Sequence, residues 1–187
     1  MNTDPTVQNG IILAAGGSTR MGQPKALLMR NGEHLIQAHI RALKPYCEHV
    51  FVIVGRHAVQ IRAVLDSDVR VIENPKWAES HMSDSLRLVL MHCQGTAFVT
   101  PVDCPPAPPR VFEALRTMGA PSVPQHKEQD GHPVLIDSGS VMRQEGTLQQ
   151  MLSRATRVTV DWKGAIESWN TPQEWAAYSE SAPFGRS

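Results

Sequence analysis

Apolar segments of two kinds alternate along this chain, and that alternation restricts the fold more than any other feature of the sequence. Continuous apolar runs predict strands at residues 10–14, 50–54, 69–72, 97–102, 134–136 and 158–160. Helical spacing of apolar residues predicts helices at residues 33–43, 59–65, 84–92 and 110–118. Strands without a polar face are covered on both sides, so the sequence predicts a three-layer α/β fold with a mainly parallel mixed sheet.

A last helix is marked by its capping residues. Thr171 is expected at the N-cap, Pro172 in the first turn and Glu174 at the capping-box position. Trp175 and Tyr178 follow three residues apart, which places their rings on one face of a helix. The sequence therefore predicts that a helix begins directly after Thr171.

Length and charge limit the class of protein. The 187 residues suit one domain over 1–187, with flexible tails expected at 1–8 and 180–187. Lys plus Arg number 18 and Asp plus Glu number 18, so the basic excess of a nucleic-acid binder is missing. No run reaches the roughly 18 apolar residues that span a bilayer, and the N-terminus lacks an apolar signal core. We therefore expect a soluble, cytoplasmic protein without nucleic-acid or membrane partners.

The loop after the first predicted strand carries features that suit a polyphosphate. It reads LAAGGSTRMGQPK from Leu13 to Lys25. Glycines let the backbone approach a ligand closely, and successive amides in such a turn form an anion-binding concavity. Arg20 and Lys25 each bring a positive charge to the loop. Ser18 and Thr19 add hydroxyl donors. In parallel sheets ligands bind beyond the carboxyl ends of the strands, which is where this loop is expected to lie.

The spacing of this loop excludes a standard P-loop. Gly17 and Gly22 have the right separation, but Gln23 and Pro24 stand where Lys and Ser or Thr should follow. The dinucleotide pattern GxGxxG is absent as well. For the glycines alone, a strand-to-helix turn without a ligand is an equally good interpretation. The cations in their present order favour phosphate binding.

A second loop at the same edge of the predicted sheet begins with Asp103, in the sequence DCPP. An acid at the tip of a buried strand suits a divalent cation, and magnesium takes only one or two oxygens from protein when phosphates and water supply the rest. The alternative is an Asp that closes a turn before Pro. The residue types alone favour that alternative.

The loop sequence LAAGGSTRMGQPKALL resembles the signature LAAGxSxRMGxxKxLL of the molybdenum cofactor cytidylyltransferases at every fixed position. These enzymes belong to a wider group of Rossmann-like nucleotidyltransferases that includes the molybdenum cofactor guanylyltransferases. Similar segments follow along the chain: VIVGRH at 52–57, NPKW at 74–77, SDSL at 83–86 and GHPV at 131–134. The resemblance covers nearly all of the chain from Asn9 to Tyr178, and it implies the nucleotidyltransferase version of the predicted fold.

The resemblance also implies residue roles. It implies nucleotide binding by Leu13, Ala14, Ala15, Gly16, Gly17, Ser18, Arg20, Lys25, Ser85 and Asp103. It implies catalytic roles for Arg20, Lys25 and Asp103, with Asp103 as the magnesium-binding acid. The acceptor is implied to lie near Gly131, His132 and Pro133. The guanylyl branch has a second glycine where this chain has Ala15, so the resemblance favours CTP over GTP.

Two stretches depart from the family pattern. The family often reads DIDTPED near its end, where this chain reads SWNTPQE, so Asn170 stands in place of a second acid. An amide oxygen can ligate magnesium, but it brings no charge. The family's glycine before the serine segment is missing, and residues 79–81 (ESH) occupy that stretch. Contacts with the base or the pterin are expected to differ there.

The implied reaction is transfer of CMP from CTP to the phosphate of molybdopterin or of the molybdenum cofactor, with Mg²⁺ and release of pyrophosphate. A molybdenum hydroxylase apoenzyme is the expected protein partner. Three alternatives stay open. The enzyme could act on another small phosphate, such as a sugar or isoprenoid phosphate, or could transfer GMP from GTP. The chain could also be a non-catalytic cofactor carrier for the hydroxylase.

Overall fold

The computed structural model describes residues 7–181. Its strands are β1 Val7–Ala14, β2 Met29–Arg30, β3 Glu33–His34, β4 Cys47–Val54, β5 Arg70–Glu73, β6 Thr96–Pro101, β7 Ser122–His126, β8 Gln129–Asp130, β9 Val134–Asp137 and β10 Thr156–Thr159. Its α-helices are α1 Leu35–Leu43, α2 Ala58–Arg62, α3 Met82–Leu90, α4 Pro109–Met118, α5 Ser138–Met142, α6 Leu148–Met151 and α7 Pro172–Ser181. Between residues 7 and 181, none of these helices has the length and apolarity needed to cross a bilayer.

One mixed sheet organises the chain. Its strands follow the order β10-β7-β9-β6-β1-β4-β5, and β8 pairs with β7 at its side. The pairs β1–β4, β1–β6, β4–β5 and β7–β10 are parallel, whereas β9 is antiparallel to both β6 and β7. The mainly parallel mixed sheet predicted from the sequence is confirmed. Because β4 and β6 flank β1, the loops that follow these three strands lie at one edge of the sheet.

The two faces of the sheet are covered by different helices. Along β1, Ile11 and Leu13 belong to a buried cluster that also contains residues of α3, α5 and α6. Ile12 and Ala14 point the other way, into a cluster with residues of α1, α2 and α4. Successive side chains of a strand alternate between faces, so a run that is apolar at every position must be covered twice. The three-layer Rossmann-like arrangement is therefore confirmed.

The predicted helix at 33–43 begins two residues later than expected. Glu33 and His34 form β3, which pairs with β2 in a small hairpin. The turn between them is Asn31-Gly32, and both residues have positive φ values of 53° and 80°. Asn-Gly is the sequence most favoured in two-residue hairpin turns of this kind, so local turn chemistry overrides the helical pattern here. Helix α1 then begins at Leu35.

The described chain reaches into both of the predicted tails. Residues 7 and 8 belong to β1, and residues 180 and 181 belong to α7. The flexibility of the tails stays a prediction. The remaining tail positions, 1–6 and 182–187, lie outside the described residues. Pairing of β1 with β4 begins at Val7, opposite Cys47, which ties the start of the strand to the sheet.

The start of α7 is confirmed as predicted. The Glu174 backbone N–H donates to Thr171 Oγ1 at 3.3 Å, and the Thr171 N–H donates to Glu174 Oε2 at 3.0 Å, which is a reciprocal capping box. Trp175 and Tyr178 both contact Trp169, with ring centroids 5.0 and 4.1 Å apart. This aromatic cluster holds α7 and the segment before it against the body of the domain.

Candidate active site

The Gly-rich loop leaves the sheet at the carboxyl end of β1 and folds back on itself. Ser18 adopts a positive φ of 50°, its carbonyl accepts from the Met21 N–H at 3.1 Å, and its hydroxyl accepts from the Lys25 N–H at 3.2 Å. Met21 is buried in the core beneath the loop. Ser18 thus shapes the turn, and Met21 anchors it. Lys25 then opens a short 3-10 helix, Lys25–Leu27.

Four polar side chains from three distant parts of the chain meet beside this loop. Lys25 Nζ donates to Asp103 Oδ2 at 2.8 Å and to Asn170 Oδ1 at 3.0 Å. Arg20 Nη2 donates to the same Asn170 oxygen at 2.9 Å. The Lys25 and Asp103 side chains are only 13% and 27% exposed, so their charges are less screened than those of a surface ion pair. The structure brings together all four residues predicted to handle phosphate and metal.

Backbone hydrogen bonds hold the two oxygen-bearing residues of this cluster. The loop after β6 is fixed to β1 by the Val102 N–H, which donates to the Leu13 carbonyl at 3.1 Å. The Trp169 N–H donates to the Asp103 carbonyl at 2.8 Å, which joins the Asn170 segment to the Asp103 loop. Glu174 accepts from the Asn170 N–H at 2.6 Å. The backbone N–H groups of Asn170 and Thr171 lower the pKa of Glu174, so the carboxylate that holds them stays charged.

A cavity of about 170 Å³ opens over this cluster. Its walls include eight of the residues predicted to bind nucleotide or metal, namely Leu13, Ala14, Gly16, Ser18, Arg20, Lys25, Asp103 and Asn170. The cavity lies at the carboxyl ends of β1 and β6, which is the expected position for a ligand in a sheet of this kind. Two guanidinium or ammonium groups and one carboxylate face it, which suits a polyphosphate with a bound cation.

Trp77 supports the Gly-rich loop from the side of β4. A Cβ atom on Gly17 would lie 3.0 Å from the Trp77 ring. A Cβ atom on Gly55, which follows β4, would lie 2.6 Å from the Trp77 side chain and would overlap the Ala15 carbonyl oxygen. His57 Nε2 donates to the Gly17 carbonyl at 3.3 Å. The loop is therefore packed between the tryptophan and the turn after β4, and two glycines permit that contact.

Replacement of Gly55 with alanine should displace the loop, because the new Cβ would overlap backbone rather than a flexible side chain. We expect the affinity for the nucleotide that the resemblance implies to fall about tenfold, and the free energy of unfolding to fall by about 1–3 kcal/mol. Isothermal titration with CTP and thermal unfolding would measure both effects. Gly139→Ala in α5 is the matched control, since its Cβ would meet two side-chain ends and no backbone atom, Arg143 Nη1 at 3.3 Å and Asp137 Oδ1 at 3.6 Å. Equal behaviour of the two variants would contradict the close packing inferred at Gly55.

A second, larger cavity of about 530 Å³ adjoins the first, and Met82 lines both. Gly131 and His132 form part of its wall, while Pro133 is buried behind them after a cis His132–Pro133 peptide bond. His132 Nδ1 is buried and accepts or donates no hydrogen bond among the described residues. Burial lowers the pKa of His132, against the opposing effect of the Asp103 carboxylate, so the ring is neutral at pH 7.

Three predicted nucleotide-binding residues, Gly17, Ser85 and Ala15, are not part of the wall of the first cavity. Ser85 is 6% exposed, and its hydroxyl accepts from Asn74 Nδ2 at 2.9 Å. Ala15 is 7% exposed and packs in the cluster with α3. Ser85 therefore fixes the turn after β5, and its contact with a base stays a prediction. Ala15 affects the site through the path of the loop backbone, because its side chain is directed into the core.

Several wall residues were missed at the level of sequence. His57, the last residue of the VIVGRH segment, was given no role from the sequence, and it lies in the first cavity wall. No sequence pattern pointed to Met82 as a wall residue; it is the first residue of α3. The second cavity owes part of its wall to Thr147, Leu148 and Gln149, at the beginning of α6. The capping pair of Thr147 and Gln150 could have indicated that helix, since it has the S/T-x-x-E/Q spacing of a capping box.

Comparison with known proteins decides the family. The family profile described as MobA-like NTP transferase domain matches residues 10–160. The chain belongs to this family. The match begins in β1 and ends just after β10, so it contains the Gly-rich loop, Asp103 and all of the sheet except the first three residues of β1. This MobA-like transferase is a nucleotidyltransferase, as the resemblance of its loop to that family implied.

Two curated relatives are similar to this MobA-like transferase over much of its length. The molybdenum cofactor cytidylyltransferase of Escherichia coli K12 is 28% identical over 138 residues, which is 71% of each chain. The nicotine blue oxidoreductase of Paenarthrobacter nicotinovorans is 29% identical over 157 residues, which is 74% of each chain. The two names describe different chemistry.

Solved structures show the same fold. Rv0371c of Mycobacterium tuberculosis H37Rv superposes with a TM-score of 0.79 at 22% identity, covering 95% of this chain and 100% of that one. A structure of that protein in complex with manganese gives a TM-score of 0.74 at 18% identity, with the same coverage of both chains. The CTP:phosphocholine cytidylyltransferase of Streptococcus pneumoniae gives 0.71 at 18% identity, covering 94% and 99%. The likeness extends over nearly the full length of each chain.

Proposed function

We propose that this MobA-like transferase moves CMP from CTP to the terminal phosphate of molybdopterin or of the molybdenum cofactor. A phosphate oxygen of the acceptor attacks the α-phosphorus of CTP. The bond between the α-phosphorus and the bridging oxygen breaks, and pyrophosphate leaves with the bonding electrons. The observation that carries the proposal is the convergence of Arg20, Lys25, Asp103 and Asn170 on one cavity at the end of β1.

The chain's own cations account for most of the chemistry. A phosphate is largely ionised at neutral pH, so the nucleophile needs no strong general base. What the reaction needs is alignment of the two phosphates and positive charge where negative charge accumulates. Lys25 and Arg20 supply that charge on one wall of the first cavity. The amides of the Gly-rich loop add donors around the triphosphate.

The oxygens of Asp103 and Asn170 suit a magnesium ion. Both accept from the single Lys25 ammonium, at 2.8 and 3.0 Å, so they already converge on one cation. Within residues 7–181 there is no group of three or more His, Cys, Asp or Glu residues that could hold a metal by themselves. Two protein oxygens with phosphates and water are enough for magnesium. When bound, the ion would neutralise charge on the phosphates.

The second cavity is proposed for the acceptor. It adjoins the first at Met82, which would bring an acceptor phosphate next to the α-phosphate. Gly131 and His132 are proposed to contact the acceptor, with Pro133 fixing the turn behind them. The His132 ring lines this cavity and is neutral, so it would contact a pterin without bringing a charge to it.

The nucleotide is proposed to be CTP rather than GTP. Ala15 stands where the guanylyl branch has a glycine, and its buried side chain restricts the loop backbone at that point. The similarity to the Escherichia coli cytidylyltransferase supports the same choice. A molybdenum hydroxylase apoenzyme is proposed as the recipient of the product.

A pyrophosphate-release assay tests the proposal. With CTP, magnesium and molybdopterin we expect release that stops when either the pterin or the metal is withheld. Substitution of GTP should reduce kcat/KM by at least about tenfold. Release with a sugar phosphate or phosphocholine instead of the pterin would contradict the proposed acceptor. Tight CTP binding without release of pyrophosphate would indicate a non-catalytic carrier. An oxidoreductase would release no pyrophosphate either.

Variants of Asn170 test whether the second oxygen serves the metal. Asn170→Ala removes it, and we expect the magnesium concentration at half-maximal rate to rise about tenfold. Asn170→Asp adds a carboxylate beside Asp103 and should lower that concentration instead. Titration of the rate with MgCl₂ at saturating CTP provides the measurement. An unchanged requirement in both variants would show that Asn170 acts only as a hydrogen-bond partner of Arg20 and Lys25.

A further inference from the structure

A buried histidine lies behind the Asp103 loop, outside the two cavities. His39 is in the middle of α1 and is 1% exposed. Its Nε2 atom is 3.0 Å from the carbonyl oxygen of Cys104, the residue that follows Asp103. Helix α1 therefore reaches the loop from the side opposite the nucleotide. Nothing in the loop motif or in its spacing points to this residue.

The protonation state of His39 follows from its surroundings. Burial lowers the pKa of His39 to about 4, against smaller opposing effects of the Cys104 carbonyl, the Asp103 carboxylate and the Val102 carbonyl. The ring is therefore neutral at pH 7. A carbonyl oxygen only accepts hydrogen bonds, so the contact requires the proton on Nε2. His39 is then a fixed, uncharged donor to the loop.

The contact falls at a critical position in the loop. Val102 is tied to β1 through its N–H, and Asp103 is tied to the Asn170 segment through its carbonyl. The next carbonyl along the chain, that of Cys104, is the one that His39 holds. These bonds hold the Pro101–Val102 peptide before Asp103 and the Asp103–Cys104 and Cys104–Pro105 peptides after it. With the chain held on both sides of Asp103, the directions open to its carboxylate are restricted.

We propose that His39 is a positioning residue. It holds the Asp103 carboxylate in the orientation in which it faces Lys25, Asn170 and the metal. The inference rests on the proposed function, because it assigns His39 to the metal loop of that reaction. His39 would touch neither substrate, since its ring is buried and is not part of either cavity wall. Removal of the donor should leave the loop in place but widen the range of carboxylate orientations.

A matched pair of variants separates the hydrogen bond from simple packing. His39→Leu keeps an apolar group in the core and removes the donor, whereas His39→Gln places an amide N–H near the position of Nε2. For His39→Leu we expect kcat to fall about tenfold and the magnesium requirement to rise about tenfold, while His39→Gln stays within about threefold of the wild type. CTP affinity measured in EDTA should be unchanged in both, because the loop cations are intact.

The outcomes are distinct. A folded His39→Leu variant with the wild-type magnesium requirement would overturn the proposal, as would equal losses in the Leu and Gln variants. If the wild type itself shows no metal-dependent pyrophosphate release, the proposed function fails, whatever His39 does. If the wild type is active and only the His39 expectations fail, the proposed function stands and this inference alone is wrong.

A measurement on the unaltered protein covers the case in which His39→Leu does not fold. In ¹⁵N spectra of histidine-labelled enzyme, we expect His39 to be the neutral Nε2–H tautomer between about pH 6 and 8. Its Nε2–H proton should exchange slowly with solvent, because it is buried and bonded to the Cys104 carbonyl. An Nδ1–H tautomer or a cationic ring in that range would overturn the proposed contact.

Discussion

Asp103→Asn is expected to reduce kcat for pyrophosphate release by roughly 10²–10³-fold. Asparagine keeps the size of the side chain and one oxygen but removes the charge that faces Lys25 Nζ at 2.8 Å. The change therefore affects cation binding while it preserves the shape of the loop. Initial rates at saturating CTP and magnesium would measure the loss.

The fold should tolerate this substitution. The Asp103 carbonyl still accepts from Trp169, and only one partly exposed ion pair is lost, so the free energy of unfolding should change by no more than about 1 kcal/mol. Asp66→Asn is the matched control, since Asp66 pairs with Lys44 on the surface at 3.4 Å, away from the cavity. Turnover by the Asp103→Asn variant within threefold of the control would remove Asp103 from the mechanism.

Lys25→Ala is expected to lower kcat/KM for CTP by roughly 10²–10³-fold. Its ammonium contacts both Asp103 and Asn170, and it lines the proposed phosphate cavity. In the proposed reaction this charge faces the triphosphate in the ground state and the departing pyrophosphate later. Both KM and kcat should therefore change. Steady-state kinetics with CTP as the varied substrate separate the two parameters.

The control for this variant is another lysine in a surface ion pair. Lys163→Ala removes an ammonium that pairs with Glu167 at 2.9 Å and is 76% exposed. It should leave both kinetic parameters unchanged, because its charge is screened by solvent and lies outside the first cavity. Equal kinetics in the Lys25 and Lys163 variants would show that the loop lysine only shapes the apo structure.

The sequence was sufficient to predict one part of the candidate site, the Gly-rich loop with its two cations. An uninterrupted apolar strand followed by glycines, Arg20 and Lys25 predicts both where a phosphate would bind and which cations would face it. That inference needs only local information, because strand, turn and cations are all within a few residues of one another. The boundary errors were also local, as at the Asn31-Gly32 hairpin, whose turn signal competes with the helical pattern.

The other part of the site, Asp103 and Asn170, depended on long-range contacts. Lys25 contacts residues 78 and 145 positions away, and Arg20 contacts one 150 positions away. The pairing of β1 with β6 brings the Asp103 loop to the Gly-rich loop, and the aromatic cluster on α7 holds the Asn170 segment beside both. The resemblance to a family anticipated Asp103 and Asn170, but no local pattern could have shown that they share one ammonium.

The apolar alternation determined the three-layer sheet by itself, and the Gly-rich loop was enough to predict where a phosphate would bind, since both follow from the periodicity and turn chemistry of neighbouring residues. Tertiary structure alone decided which side chains face that position. It directed Ser85 and Ala15 into the core, placed Trp77 against the loop, and put His39 behind Asp103. The reason is physical: burial and hydrogen bonding between distant segments depend on how the layers pack, and the order of residues along the chain does not contain that information locally.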